Sequence, residues 1–218
     1  MKPISLSFFL AFYLFNFSAP NFNGTIRTDA LGTKKSDTTN SFKIEGYRVT
    51  PKASFEFSTL NKSGIDTLDM VACSDYIYSP FGKVNDKRKF ASSLLKNFTV
   101  VNRIQATSSG KVEVQILKHK ASKLVFFFDN SDTATHSDIL KGEIYDDDVV
   151  FFNAIRIGIK EDDFYKIFFD YFPPELRNKY KVIAMESCVD GIKHVYSFKD
   201  GKLSSVKFIS DYQFDVDY

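Results

Sequence analysis

Cysteine, histidine and tryptophan are scarce in this chain, and neither sign of charge dominates. The 218 residues include two cysteines, three histidines and no tryptophan, and the formal net charge is +2. Two cysteines are too few for a disulfide-built scaffold or a four-cysteine metal site. The near-neutral charge argues against a nucleic acid partner, which requires a basic surface. Aromatic residues are abundant, with 24 Phe and 11 Tyr, as expected for a globular protein with a Phe-rich core.

The motifs that usually hold cofactors and metals are also missing. The ten glycines are scattered singly, so the sequence contains no glycine-rich phosphate loop. His119, His136 and His194 stand outside the spacings that predict a zinc site, and no Gly-x-Ser-x-Gly elbow occurs. We therefore expect no cofactor and no metal. His194 alternates with core-type residues in a predicted strand and is the candidate exposed-site residue, although partial burial in the sheet is its simpler interpretation.

Two charged runs have a functional and a simpler interpretation. Residues 146–148 are three aspartates, which supply the oxygen ligands that calcium prefers, but the remaining positions of an EF-hand loop are absent. A solvated turn is the favoured interpretation. Residues 87–89 are Lys-Arg-Lys at a predicted helix start, where the helix dipole opposes cations, so we favour a solvated face over an anion site.

Residues 1–19 are predicted to be a secretory signal peptide. Lys2 is followed by about 15 mostly apolar residues, fewer than the roughly 20 that a membrane span needs. Residues 20–41 are polar and predict a flexible leader. An uncleaved anchor, favoured by Pro20 after the small residue Ala19, and a buried N-terminal helix are the alternatives. We expect a periplasmic or secreted protein without a membrane span after signal removal.

Export gives the two cysteines two possible states. Cys73 and Cys188 both lie in apolar, strand-like sequence. In an oxidising compartment they form one bridge, whereas the alternative is a pair of buried free thiols. No histidine lies near either cysteine in the sequence, which argues against a catalytic thiol.

From residue 42 onward the pattern predicts an α+β fold of two βαβββ-type units, residues 42–140 and 141–218. We expect antiparallel sheets with the helices packed on one face. The predicted strand, helix and three strands of the first unit are 75–82, 86–98, 99–106, 112–119 and 122–129. Those of the second unit are 148–158, 160–172, 180–187, 192–198 and 203–210. The shared order indicates a duplication, and chance similarity of two such runs is the alternative.

Two local patterns are the clearest. Phe164, Phe168 and Phe172 recur at helical spacing, and three acidic residues stand at the predicted helix start, where they complement the helix dipole. Asp200-Gly201 lies between alternating segments and predicts a type I′ hairpin turn.

Residues 155–168, Ile-Arg-Ile-Gly-Ile-Lys-Glu-Asp-Asp-Phe-Tyr-Lys-Ile-Phe, read as a strand, a Gly step and a helix with an acidic start. This run resembles the opening of the β-lactamase-inhibitory-protein-like domains, a group that includes small outer-membrane assembly lipoproteins. The resemblance covers residues 66–210 in architecture and implies tandem α+β domains. The chain departs from the group in lacking a clear second short helix in each unit and a lipid-bearing cysteine.

These observations predict a non-catalytic binding or interaction module of the bacterial envelope or extracellular space. Its partner is expected to be another envelope or extracellular protein, which binds to a Phe- and Tyr-rich surface of the sheet. One alternative is a hydrolase whose site forms only in three dimensions, around His194 with Asp190 or Glu186. Another is a structural envelope component.

Overall fold

The computed structural model describes residues 41–82, 96–107, 110–129, 136–189 and 191–211. All of them belong to one compact unit, Thr38–Tyr218. The predicted signal peptide, the leader before residue 41, most of the predicted helix 86–98 and the Lys-Arg-Lys run at 87–89 lie outside the described residues.

Strands dominate this part of the chain, and its helices are few and short. A small sheet has the order β1-β2-β9, and a nine-stranded sheet has the order β3-β4-β10-β11-β12-β8-β7-β6-β5. The strands are β1 Phe42–Ile44, β2 Tyr47–Pro51, β3 Phe57–Ser63, β4 Thr67–Ala72, β5 Thr99–Thr107, β6 Gly110–His119, β7 Ser122–Asp129, β8 His136–Ile144, β9 Phe169–Tyr171, β10 Val182–Ser187, β11 Ile192–Lys199 and β12 Lys202–Ser210. The described α-helices are α1 Asp75–Tyr78, α2 Glu161–Phe168 and α3 Pro174–Lys179.

The large sheet is continuous where two separate sheets were predicted. Strands from both predicted units hydrogen-bond in one sheet, because β4 of the first pairs with β10 of the second. The predicted boundary after residue 140 falls inside β8. The sheet is mixed rather than purely antiparallel, since β4 and β10 run parallel with Met70 opposite Met185.

Two predicted strands are not strands. Residues 75–82 begin with α1, because Ser74 holds the extended conformation of an N-cap and Tyr76 and Ile77 are then buried on one side. Residues 148–158 form a tight turn with a 3-10 segment at Phe152–Ala154, since Asn153 and Ala154 both have positive φ. The remaining predicted strands correspond to β5, β6, β7, β10, β11 and β12.

The clearest local predictions are confirmed. Helix α2 begins with Glu161 and two aspartates and buries Phe164 and Phe168. It ends four residues earlier than predicted, because Phe169–Tyr171 turns into β9 and pairs with β2. Asp200 and Gly201 have φ values of 52° and 71°, as a type I′ turn between β11 and β12 requires.

Aromatic rings join α2 to the inner face of the large sheet. The ring of Phe164 lies 5.0 Å from those of Tyr196 and Phe198 on β11. One turn further along the same face, Phe168 lies 4.7 Å from Phe55, which belongs to a 3-10 segment at Ala53–Phe55. This aromatic core holds α1, α2 and both 3-10 segments in fixed positions on one side of the sheet.

Candidate functional site

A disulfide joins Cys73 to Cys188 across the parallel pair of strands. The carboxyl ends of β4 and β10 meet at the same sheet edge, with Ala72 opposite Ser187, so the next residue of each strand is a cysteine. The two Cα atoms are 5.1 Å apart. Of the two states left open by the sequence, the structure has the bridge, which fits an oxidising compartment outside the cytoplasm.

Ser74 follows the bridged Cys73 and occupies the N-cap position of α1. A serine at this position usually accepts a hydrogen bond from an N–H group of the first helical turn. The side chain of Ser74 makes no such bond, although its backbone has the extended N-cap conformation. Its hydroxyl is buried, with the residue 8% exposed, and has no hydrogen-bond partner among the described residues.

Ser74 is one of the residues that line a pocket of about 620 Å³. Its walls are the start of α1, the two 3-10 segments and one side of α2. The polar lining residues are Lys52, Ser54, Ser74, Asp75, Asn153, Asp163 and Lys166, and the apolar or aromatic ones are Phe55, Tyr76, Phe152 and Ile167. This volume lies within the roughly 300–1,000 Å³ that is usual for small-molecule sites.

Backbone hydrogen bonds tie the pocket walls to one another. The amide of Lys52 donates to the carbonyl of Phe168 at 2.9 Å, and the amide of Cys73 donates to Glu56 at 3.3 Å. The amide of Phe152 donates to Pro80 at 2.6 Å. Because each bond joins two different walls, the pocket is a preformed feature of the fold.

Lysine and aspartate occur in equal number in the lining. The Lys52 ammonium donates to the backbone carbonyl of Lys166 at 2.5 Å. The Lys166 ammonium donates to Asp163 one helical turn earlier, at 3.1 Å. With Asp75 as the second carboxylate, the formal charge of the lining sums to zero.

Phe152 presents an aromatic ring at the rim of the pocket. The residue is 55% exposed, unlike Phe151 before it, which is buried in the core. The residues that follow, Asn153 and Ala154, both have left-handed backbone conformations, with φ of 63° and 59°. Such strain costs of order 1–3 kcal/mol per residue and is concentrated at functional sites.

Below the pocket lies a buried chain of polar groups. The hydroxyl of Tyr76, a lining residue, is 2.7 Å from that of Tyr196, which is 3.1 Å from Nδ1 of His194. Burial raises the pKa of both tyrosines and lowers the pKa of His194 to about 3, and the backbone of Ile77 only partly opposes the shift at the histidine. All three side chains are therefore neutral at ordinary pH.

His194 is not an exposed site residue. It is completely buried, because it lies on the inner face of β11 with its ring 4.8 Å from that of Phe208. Glu186 is on the opposite face of the sheet, since it pairs with Lys193 while His194 pairs with Met185. Asp190 lies outside the described residues. The hydrolase site expected around His194 is thus not assembled by the residues described.

The other candidates lie away from the pocket. Nε2 of His119 is 2.9 Å from Asp148, to which Lys120 also donates at 2.7 Å. Asp146 accepts from the hydroxyl of Ser122 at 2.6 Å. These carboxylates are engaged by protein donors, and no cluster of three metal-binding side chains occurs in the described ranges. His136 is on β8, and its side chain is not among those described.

Sequence reasoning missed the pocket because its residues come from four distant segments. Ser74 directly follows a cysteine and starts a helix only four residues long, which has no visible period. Phe152 belongs to an apolar run that has the composition of a buried strand. The one available signal was Asn153, a residue type that tolerates left-handed backbone.

No protein-family model, curated protein or solved structure matches this chain. The resemblance to the β-lactamase-inhibitory-protein-like domains therefore stays a prediction. Within the described residues, no helix has the length and hydropathy needed to cross a membrane.

Proposed function

We propose that this protein is a non-catalytic binding module, exported to the envelope or the extracellular space, and that its binding site is the pocket lined by Ser74. The observation that carries this proposal is the preformed pocket, which has the exposed Phe152 ring in its lining and the unpartnered hydroxyl of Ser74 buried in its wall. A buried hydroxyl without a partner costs about 1–3 kcal/mol. A ligand recovers that free energy when the Ser74 side chain rotates its hydroxyl into the pocket and hydrogen-bonds to it.

The Phe152 turn supports the same site independently. An exposed aromatic ring on a turn with two left-handed residues is costly for a segment that only connects β8 to α2. Aromatic side chains contribute strongly to binding, since they bring a large contact area with little conformational freedom to lose. The turn therefore fits a role in presenting Phe152 to a ligand.

The chemistry of the lining favours binding over catalysis. A hydrolytic site requires a nucleophile held by a general base. The lining offers the hydroxyls of Ser54 and Ser74, but none of its residues is a histidine. The amino groups of Lys52 and Lys166 act as hydrogen-bond donors to a carbonyl and a carboxylate rather than to a serine.

Export to an oxidising compartment is supported by the Cys73–Cys188 bridge together with the apolar N-terminal segment. The intact mass of protein secreted by its native host tests this part. Loss of residues 1–19 is expected, and a mass that retains them would indicate an anchored form instead.

Ser74 has a matched control in Ser187, which is 7% exposed and stands beside the other cysteine. Its hydroxyl accepts a hydrogen bond from the amide of Ile192 at 3.3 Å, so it is occupied inside the fold. A mixed library of small molecules, followed by NMR on the labelled chain, tests the proposal. We expect hits that shift the amide signals of Ser74 and Asn153 and that weaken in Ser74→Ala but persist in Ser187→Ala.

The proposal is wrong if no compound shifts the signals of the pocket residues. The protein partner predicted from the sequence is tested in parallel, by capture from envelope fractions with the wild type and Phe152→Ala. Capture that is lost in Phe152→Ala would place the protein partner at the same pocket.

A further inference from the structure

We propose that the ligand of this pocket is a neutral, polyhydroxylated ring, that is, one or two sugar units of a glycan. This inference rests on the proposed function, because it names the ligand class of the same site. It is carried by the polar lining, the balanced charge and the exposed Phe152 ring.

Polar side chains outnumber apolar ones around the pocket. Seven of the eleven lining residues are polar or charged, while most of the exposed surface inside the pocket is apolar, so a ligand needs both hydroxyl groups and an apolar face. The lining includes hydroxyl, carboxamide, carboxylate and ammonium groups, so donors and acceptors are interspersed. A sugar hydroxyl both donates and accepts, and it matches such a mixture better than a ligand with acceptors only.

The balanced charge argues against an ionic ligand. Two lysines and two aspartates cancel formally, and one lysine is already paired with one aspartate at 3.1 Å. Phosphate and carboxylate ligands are usually met by an excess of Arg or Lys with charge-assisted hydrogen bonds. The buried Ser74 hydroxyl is neutral and suits another neutral hydroxyl.

The Phe152 ring supplies an apolar surface of the right kind. An aromatic face carries negative charge density and attracts polarised C–H groups. One face of a sugar ring is covered by C–H groups while its edge carries hydroxyls. Stacked on Phe152, a sugar directs its hydroxyl edge toward the polar lining and Ser74.

A peptide backbone fits less well. Extended peptides usually bind by adding a strand to an exposed sheet edge. The lining residues come from α1, α2, the two 3-10 segments and their flanking residues, and none belongs to a described strand. The pocket thus offers side chains to a ring rather than a strand edge to a peptide.

The test uses the secreted full chain on an array of neutral and acidic oligosaccharides, followed by NMR titration with the best neutral disaccharide. Inorganic phosphate, the dipeptide Gly-Phe and octanoate are the comparison probes. We expect a neutral sugar to shift the amide signals of Ser74 and Asn153 and to receive saturation transfer from the Phe152 ring at its C–H protons. Phe152→Ala should raise the dissociation constant about tenfold.

Tyr171→Ala is the matched control, because Tyr171 is 54% exposed and lies outside the lining. It should leave the dissociation constant unchanged. Sugar binding that Phe152→Ala does not weaken would overturn the inference. Binding of phosphate, the dipeptide or octanoate at these residues without any sugar would also overturn it, but would leave the binding pocket standing. If nothing binds at the pocket, the inference and the proposed function both fail.

Discussion

Tyr76 on α1 and Tyr196 on β11 share a hydrogen bond of 2.7 Å inside the core. Tyr196 also hydrogen-bonds to a second group, since its hydroxyl is 3.1 Å from Nδ1 of His194. All three side chains are almost completely buried. The hydroxyl of Tyr196 is therefore the hydrogen-bond partner of both Tyr76 and His194.

Tyr196→Phe should destabilise the fold more than Tyr76→Phe. Removal of the Tyr196 hydroxyl leaves two buried polar groups without that partner and should cost about 2–4 kcal/mol, whereas removal of the Tyr76 hydroxyl should cost about 1 kcal/mol. Urea denaturation of both variants measures the difference. Equal losses would show that Tyr196 does not bridge the other two groups.

Acid should destabilise the protein through His194. Its pKa is about 3 in the folded state, below the ordinary value of 6.5, because burial disfavours the charged ring. As the pH falls, the unfolded chain binds a proton first, so this contribution to stability is complete above about pH 6.5 and declines toward pH 3. The full loss is of order 5 kcal/mol.

The free energy of unfolding measured by urea at several pH values tests this dependence. His194→Gln should start from a lower stability and lose less of it on acidification. His119→Gln serves as the control and should retain the loss that belongs to His194, because His119 contacts Asp148 and not the buried chain of Tyr76, Tyr196 and His194. A wild-type stability that stays flat between about pH 6.5 and 4 would contradict the neutral, buried state of His194.

Lys120 should control the ionisation of Asp148 more strongly than His119 does. Hydrogen bonds from Lys120 and then from His119 lower the pKa of the Asp148 carboxyl, since both stabilise its charged form. In an NMR titration, Lys120→Met should raise this pKa further than His119→Gln. The exposed Lys118→Met is the control and should leave it unchanged. A larger effect from His119→Gln would reverse the assignment.

The Cys73–Cys188 bridge should contribute both to stability and to the shape of the pocket. It closes a loop with a sequence separation of 115 residues, for which the chain-entropy model gives about 4–5 kcal/mol. The double variant Cys73→Ser/Cys188→Ser should lose about that much in urea denaturation. It should also bind library hits more weakly under conditions where it stays folded, because Cys73 fixes the position of Ser74. Unchanged stability would indicate that the unfolded chain is already constrained.

Local sequence predicted the elements whose pattern is local. The β11–β12 hairpin follows from Asp200-Gly201 and its alternating flanks, and α2 follows from its acidic start and apolar stripe. The parallel pairing of β4 with β10 is a different case, because nothing within either strand specifies a partner more than 100 residues away. Buried parallel strands usually form continuous apolar runs, whereas β4 alternates between buried and partly exposed residues, as an antiparallel strand does.

The pocket could not be predicted from the sequence because it also depends on contacts between distant segments. Ser74 and Phe152 acquire their roles only when α1 and the turn after Phe151 meet, and both segments were interpreted as strands from their apolar residues. Short apolar runs do not distinguish a strand from a buried helical turn. The left-handed conformation of Ala154 is imposed by tertiary contacts, since alanine has no local preference for it.

The parallel pairing also determines when the protein can finish folding during its synthesis. β4 leaves the ribosome, and any translocation channel, long before β10, yet β10 is its neighbour in the sheet and is followed by the cysteine that completes the bridge. Until residues 182–188 emerge, one edge of β4 and the thiol of Cys73 are without their native partners. β4 is therefore paired on this edge only after the segment that contains β10 has been synthesised. A chain stalled before residue 182 would expose an unpaired strand edge, which is prone to aggregation, and a reactive thiol.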